Sequence, residues 1–245
     1  MSTQVRFLGS GDAFGSGGRF QACILLDCDG YRALLDCGAS SLIAMRRFGV
    51  DPNSIDAILV SHLHGDHFGG LPFVLLDAYY GGRTKPLLVV GPPPTEQRVR
   101  EANDALFRGF APRRLRYALE YLPLSEAREV AIGPLGVSAF PVEHVREVSP
   151  LALRVRYGDK LLAYSGDARW CEGLRRAADG ADLFICEASS FTSESPAHVS
   201  YQTLLEHRDE LRCGRIVLTH LGKETLDHLG ELELEPAEDG LILTV

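Results

Sequence analysis

Six consecutive residues supply three imidazoles and one carboxylate: His62-Leu63-His64-Gly65-Asp66-His67. Imidazole and carboxylate groups are ligands that divalent zinc, a borderline-soft ion, prefers in proteins. The run follows a strand-like apolar segment, residues 57–61, and its glycine permits a tight turn. With 8 histidines in 245 residues, chance rarely produces this spacing. We therefore predict that His62 and His64 bind one metal ion, while Asp66 and His67 bind a second.

Three further residues of the same types stand directly after predicted strands: His144, Asp167 and His220. We expect His144 to complete the first ion's ligands, although a hydrogen-bonded loop histidine would give the same pattern. Asp167 lies in a Gly-Asp sequence, which by itself usually forms a turn without a chemical role. The two oxygens of its carboxylate, however, can bridge two cations. His220 ends a buried strand, and we expect it to complete the ligands of the second ion. Together these strand ends predict one binuclear site.

Length and composition are typical of a compact enzyme. A chain of 245 residues with 45% hydrophobic residues can bury a sizeable core, and we predict one domain, residues 1–245, rather than two fused small halves. The N-terminus shows no signal peptide, and no apolar stretch is long enough to span a membrane. The six cysteines form no CxxC pair and suit reduced thiols, so we expect a cytoplasmic protein without membrane partners.

The charge balance argues against a protein whose main task is to hold a large polyanion. Lys and Arg number 25 against 33 Asp and Glu, which gives a formal net charge of −8. One basic run, residues 110–116, contains three arginines, and Arg98 and Arg100 precede it. We interpret these arginines as a solvated face, with a rim that contacts phosphates as the alternative.

Strand patterns occur in both halves of the chain, and helices lie between them. Predicted strands are residues 5–8, 22–27, 31–36, 57–61, 87–90, 137–141, 151–157, 161–165, 183–186, 216–219 and 241–245; predicted helices are 40–48, 95–107, 172–178 and 201–211. This order favours an α/β fold with two sheets packed face to face and helices outside. The segment from Gly9 to Gly15 is disfavoured as a dinucleotide loop, because Phe14 replaces the third glycine and a strand follows.

The ligand pattern resembles that of the metallo-β-lactamase superfamily, over essentially the whole chain. The resemblance implies a four-layer αββα sandwich of two mixed β-sheets with outer helices. It also implies two divalent ions, expected to be Zn²⁺, with Mn²⁺ or Fe²⁺ as alternatives. The first ion would be bound by His62, His64, His144 and Asp167, and the second by Asp66, His67, Asp167 and His220. Gly65 stands where the di-iron flavoprotein branch has an acid, which disfavours redox chemistry.

Within that superfamily, weaker motifs resemble the ribonuclease Z and small phosphodiesterase branch. These motifs are residues 7–11, 82–92 and 237–240, Glu187-Ala188-Ser189 and His198-Val199-Ser200. Cys186, directly before Glu187, stands where members of this branch often have a histidine. We predict Asp66, Glu187 and His198 as catalytic residues, with His198, held by Glu187, protonating the leaving alkoxide. Members that process transfer RNA carry a long basic arm between the two metal ligands that correspond to His144 and Asp167. Only 23 positions separate these two residues here, which leaves no room for such an arm.

The sequence therefore predicts a metal-dependent hydrolase that attacks a small or cyclic phosphodiester with a metal-bridging hydroxide. The alternatives are a ribonuclease Z-type endonuclease acting on transfer RNA precursors, or a hydrolase of thioesters, lactones or carboxylic esters. A degenerate binding protein is disfavoured because the ligand set is complete. RNA remains an alternative partner, and the sequence is compatible with a homodimer.

Overall fold

The computed structural model describes residues 3–110, 114–124, 126 and 128–245. The strands are β1 (Thr3–Gly9), β2 (Cys23–Cys28), β3 (Tyr31–Leu35), β4 (Ala57–Leu59), β5 (Leu87–Gly91), β6 (Leu119–Pro123), β7 (Val130–Ile132), β8 (Leu135–Pro141), β9 (Leu151–Tyr157), β10 (Lys160–Tyr164), β11 (Leu183–Glu187), β12 (Arg215–Thr219), β13 (Glu235–Pro236) and β14 (Ile242–Thr244). The helices are α1 (Ser41–Arg47), α2 (Gly65–Phe68), α3 (Leu71–Tyr80), α4 (Thr95–Leu106), α5 (Glu172–Ala178), α6 (Tyr201–Glu206) and α7 (Lys223–Asp227). In the described part of the chain, no helix has the length and apolar character needed to cross a membrane.

The strands form two mixed sheets of seven strands each. One sheet has the order β14-β1-β2-β3-β4-β5-β6, and the other has the order β13-β12-β11-β10-β9-β8-β7. In each sheet, an antiparallel meander is followed by parallel strands that helices connect. This arrangement confirms the predicted α/β class with two sheets and outer helices.

Three layers of buried apolar side chains hold the sheets and helices together. Alternate strand residues, such as Val5 and Phe7 of β1, face the core between the two sheets. The intervening strand residues, such as Leu8, point to the opposite face of the first sheet and pack against α1, α3 and α4. A third cluster, which includes Phe184 of β11, packs α5 and α6 against the second sheet. The burial pattern is therefore that of a four-layer sandwich.

The consecutive helices α2 and α3 are absent from the sequence prediction, because glycine and proline interrupt their apolar pattern. Gly70 separates them, and a Cβ atom at that position would lie 2.2 Å from the backbone oxygen of Gly38. Glycine is required there by close approach of two chain segments rather than by a turn. Strands β6, β7 and β13 and helix α7 are likewise absent from the sequence prediction. Arg113, part of the basic run, lies outside the described residues.

Arg83 is a buried cation that ties together two chain segments. Its side chain is 3% exposed, and its guanidinium donates to the backbone oxygens of Lys85, Pro52, Ile55 and Pro86 at 2.5–3.2 Å. A planar guanidinium with five N–H donors can satisfy several carbonyls at once. These carbonyls belong to the segments that precede β4 and β5.

We expect Arg83→Leu to destabilise the protein by about 2–4 kcal/mol, because it leaves buried carbonyls without a donor. For a chain of this size, the Tm should fall by roughly 5–15 °C in calorimetry. Arg47→Leu removes an exposed arginine at the end of α1 and is the matched control, with a change of about 0.5 kcal/mol or less. Equal Tm values for the Arg83 variant and the unmodified protein would contradict this role.

Candidate metal centre

The residues predicted to bind metal converge at one edge of the two sheets, where several strands end. His62 follows β4, His64 immediately precedes α2, and α2 itself carries Asp66 and His67. From the second sheet, the loops after β8, β10 and β12 bring His144, Asp167 and His220 to the same place. The structure therefore brings together all seven predicted ligands.

Four of these side chains form a first group around a common centre: His62, His64, His144 and Asp167. Their ligand atoms all lie within 4.8 Å of one another. Nδ1 of His64 lies 3.1 Å from Nε2 of His62 and 3.1 Å from Nε2 of His144. Oδ2 of Asp167 lies 3.8 Å from Nε2 of His62. Three imidazole nitrogens and one carboxylate oxygen thus face a single point.

A second group contains Asp66, His67, Asp167 and His220, again within 4.8 Å. Oδ1 of Asp167 lies 3.1 Å from Nε2 of His67 and 3.5 Å from Nε2 of His220. Oδ2 of Asp66 lies 3.2 Å from Nε2 of His220. Asp167 belongs to both groups and presents a different oxygen to each, which is the geometry of a carboxylate that can bridge two cations.

The polar atoms of this site fit divalent cations better than they fit one another. Nε2 of His67 and Oδ1 of Asp167 are buried and have no hydrogen-bond partner, although 3.1 Å separates them. Buried polar atoms are normally paired, so such orphans require an explanation. Burial lowers the pKa of His220, but the Asp167 and Asp66 carboxylates raise it to about 9. These buried carboxylates therefore favour a positive charge beside them, which a divalent cation would supply.

Hydrogen bonds to the opposite ring nitrogens fix the orientation of three imidazoles. Nδ1 of His67 lies 2.7 Å from Oδ2 of Asp36, and Nδ1 of His144 lies 2.6 Å from the backbone oxygen of Ala197. Oγ of Ser61 lies 3.1 Å from Nδ1 of His62. In each case Nε2 is left to face the ligand group, which is how outer partners orient metal-binding histidines.

Asp36 is the functional residue that sequence analysis missed. It directly follows the buried strand β3 and is fully buried. The available signal was a carboxylate at the end of an apolar strand, which is the same signal that identified Asp167. Without a histidine beside it in sequence, nothing connected Asp36 with the metal ligands.

Glu187 and His198 form a pair beside the ligand groups. Both carboxylate oxygens of Glu187, at the end of β11, lie 3.0–3.1 Å from Nδ1 of His198. Glu187 is fully buried and also accepts from the backbone N–H of Ala168 at 2.6 Å. Burial lowers the pKa of His198, but the Glu187 carboxylate outweighs this effect and raises that pKa. The other two histidines, His207 and His228, are half-buried and stack on Trp170 and Phe191.

The ligand groups open onto a cavity of about 690 Å³, lined by His64, Asp66, Asp167, His198, His220 and Lys223, among others. Lys223 is the only lysine or arginine among the described lining residues, and its Nζ lies 2.5 Å from Asp227. Arg98 and Arg100 pair with Glu101 and Glu96 along α4 and do not line this cavity.

Comparison with known proteins identifies the family. The family model described as Anti-Pycsar protein Apyc1 matches residues 3–234. The ribonuclease Z of Methanothermobacter thermautotrophicus is 26% identical over an alignment of 274 positions, gaps included, which covers 89% of this chain and 86% of the relative. The ribonuclease Z of Mycolicibacterium paratuberculosis is 32% identical over 193 residues, which cover 74% of this chain and 69% of the relative.

Solved structures share the fold. The short form of human tRNase Z superimposes with a TM-score of 0.80 at 22% identity, covering 98% of both chains. A diphosphatase of the PhnP family superimposes with a TM-score of 0.76 at 19% identity, covering 98% of this chain and 97% of the other. The predicted resemblance is confirmed: the chain belongs to the Anti-Pycsar protein Apyc1 family, in the ribonuclease Z and phosphodiesterase branch of the metallo-β-lactamase superfamily.

Proposed function

We propose that this protein is a binuclear-metal-dependent phosphodiesterase that hydrolyses a small or cyclic phosphodiester. The observation that carries the proposal is the pair of ligand groups that share Asp167 and open onto one cavity. One ion would be held by His62, His64, His144 and Asp167, and the other by Asp66, His67, Asp167 and His220. Two divalent ions, expected to be zinc, would supply Lewis acidity to the phosphoryl oxygens and lower the pKa of a bound water.

The side chains around the ions would divide the remaining work. Asp66 lies at the cavity wall, where its carboxylate can orient the attacking water. Nδ1 of His198 donates to the Glu187 carboxylate, so Nε2 is the nitrogen that can hold a proton for the leaving alkoxide. The buried Glu187 carboxylate favours the protonated imidazole, which is the form that a general acid requires.

Two features favour a small substrate over a structured RNA. The 22 residues between His144 and Asp167 are largely occupied by the hairpin of β9 and β10, which leaves no protruding arm there. The cavity's one described lysine already pairs with Asp227, and the chain carries a net charge of −8. The alignment with the archaeal ribonuclease Z spans 274 positions, more than the 245 residues of this chain, so that relative contains segments absent here.

Ribonuclease Z activity is the second candidate, because both relatives described above are named ribonuclease Z. The same metal chemistry would also suit a thioester, lactone or carboxylic ester, but no feature of the cavity favours an acyl substrate. We therefore rank hydrolysis of a small or cyclic phosphodiester first.

The first test of this proposal is metal content. The purified protein should bind about two divalent ions per chain, and Asp167→Ala should lose at least one ion and most activity, because both groups lose an oxygen ligand. Inductively coupled plasma mass spectrometry measures the ions, and circular dichroism checks folding. Asp159→Ala, at an exposed turn, is the matched control and should keep both ions. Full occupancy and activity in the Asp167 variant would overturn the bridging assignment.

The second test compares substrates. Bis(p-nitrophenyl) phosphate should be cleaved with a higher kcat/KM than a transfer RNA precursor. Its turnover should change by less than about tenfold between 50 and 200 mM salt, whereas a protein contacting six to ten phosphates loses about 10³–10⁵ in affinity over that range. Efficient, strongly salt-sensitive cleavage of the precursor without turnover of the small diester would reverse the ranking.

The third test separates the proposed acid from the metals. His198→Ala should lower kcat by about 10²–10⁴ for an alkoxide leaving group, but much less for p-nitrophenolate, which needs little protonation. Glu187→Gln should act in the same direction with a smaller effect, and the metal content of the His198 variant should be unchanged. His207→Ala, which removes a half-buried histidine stacked on Trp170, is the control. An equal loss with both leaving groups would assign His198 another role.

A further inference from the structure

Phe14 is an almost fully exposed aromatic side chain at the mouth of the candidate active site. It is 92% exposed, more than any other large apolar side chain in the described part of the chain. It lines the same cavity as Asp66, Asp167 and His198. Single exposed apolar residues are common on protein surfaces, so exposure alone does not assign a function.

The loop that carries Phe14 is held in place by a buried carboxylate. Asp12 is 5% exposed and accepts from the backbone N–H groups of Phe14 and Ser16 at 3.1 and 2.9 Å. It also accepts from Oγ of Ser16 at 2.7 Å. The loop packs on α7, where a Cβ atom at Gly17 would lie 3.0 Å from Leu226. The backbone of Phe14 is therefore fixed, although its ring contributes little to the core.

An exposed aromatic ring on a fixed backbone segment, beside the proposed phosphodiester site, can bind a planar part of a substrate. Aromatic rings stack on planar groups such as nucleobases, and the side chain of Phe has only two rotatable bonds to order when it does so. The phosphate would lie at the ligand groups, which are deeper in the cavity, and the rest of the substrate would extend toward the rim. Phe14 is the aromatic residue that the described cavity lining offers to it.

We infer that Phe14 is a specificity-determining residue, which stacks on a planar group attached to the substrate's phosphoester. This inference rests on the proposed function. It adds that the protein distinguishes esters carrying a planar base from esters of the bare sugar.

The experiment compares two ligands that differ only in the base, thymidine 5′-phosphate and 2-deoxyribose 5-phosphate. Titration calorimetry on the metal-loaded full chain measures both dissociation constants without depending on turnover. Phe14→Leu keeps an apolar side chain but removes the ring, so it should weaken binding of thymidine 5′-phosphate by about 5- to 100-fold. Binding of 2-deoxyribose 5-phosphate should change less than about twofold, and Phe14→Trp should keep the preference for the base.

Ile43→Ala is the matched control, because Ile43 is a 64% exposed apolar residue on α1 outside the cavity lining. It should leave both constants unchanged. If the unmodified protein cleaves phosphodiesters but binds both ligands equally, the stacking role is wrong and the proposed function stands. If it neither cleaves phosphodiesters nor binds either ligand, both are wrong. An equal loss for both ligands in Phe14→Leu, with dissociation of a dimer in sedimentation velocity, would place Phe14 in a subunit interface and overturn the inference.

Discussion

The buried carboxylate of Asp36 is the interaction on which the candidate site depends. It accepts from the backbone N–H and Oγ of Ser61 and from Tyr164 Oη at 2.7–2.8 Å, and it lies 2.7 Å from Nδ1 of His67. Burying a carboxylate is costly unless its oxygens are satisfied, and here four donors surround it. Because Tyr164 belongs to β10 and Asp36 follows β3, this one group joins the two sheets at the point where the ligands converge.

Two strained backbone positions lie at the same point. Among the described residues outside glycine, φ is in the left-handed region at Asp29, Asp36, Ser149 and His220, and of these Asp36 (59°) and His220 (55°) belong to the candidate site. Such conformations cost on the order of 1–3 kcal/mol and persist only where neighbours hold them. The N–H of Asp36 donates to Leu59, and the N–H of His220 donates to Ser10, both at 2.9 Å. The strand ends thus hold one carboxylate and one imidazole in positions that an unstrained chain would not give them.

The proposed ligand set could be predicted from the sequence because short local patterns identify its members. The signature is contiguous, and His144 and His220 each follow a strand that apolar runs identify. Asp36 escaped prediction because its partners, Ser61 and Tyr164, are distant in sequence, and only the packing of the two sheets brings them together. Helices α2 and α3 were missed for a similar reason, since Gly70 between them serves a close tertiary approach to Gly38 that no local pattern reveals.

Burial divides the site into a fixed rear and an accessible front. His62 and His67 are fully buried in the core, and His220 is only 4% exposed, where it meets the cavity. His64, His144 and His198 are half-buried, and His64 and His198 line the cavity. A group at the rear has no water to replace a lost partner, so changing it disturbs folding and metal binding together. A group at the front can exchange its partner for water, so its chemical role can be separated from stability. The front also carries His198, paired with Glu187, so the proposed proton donor lies on the side of the site that is open to a substrate.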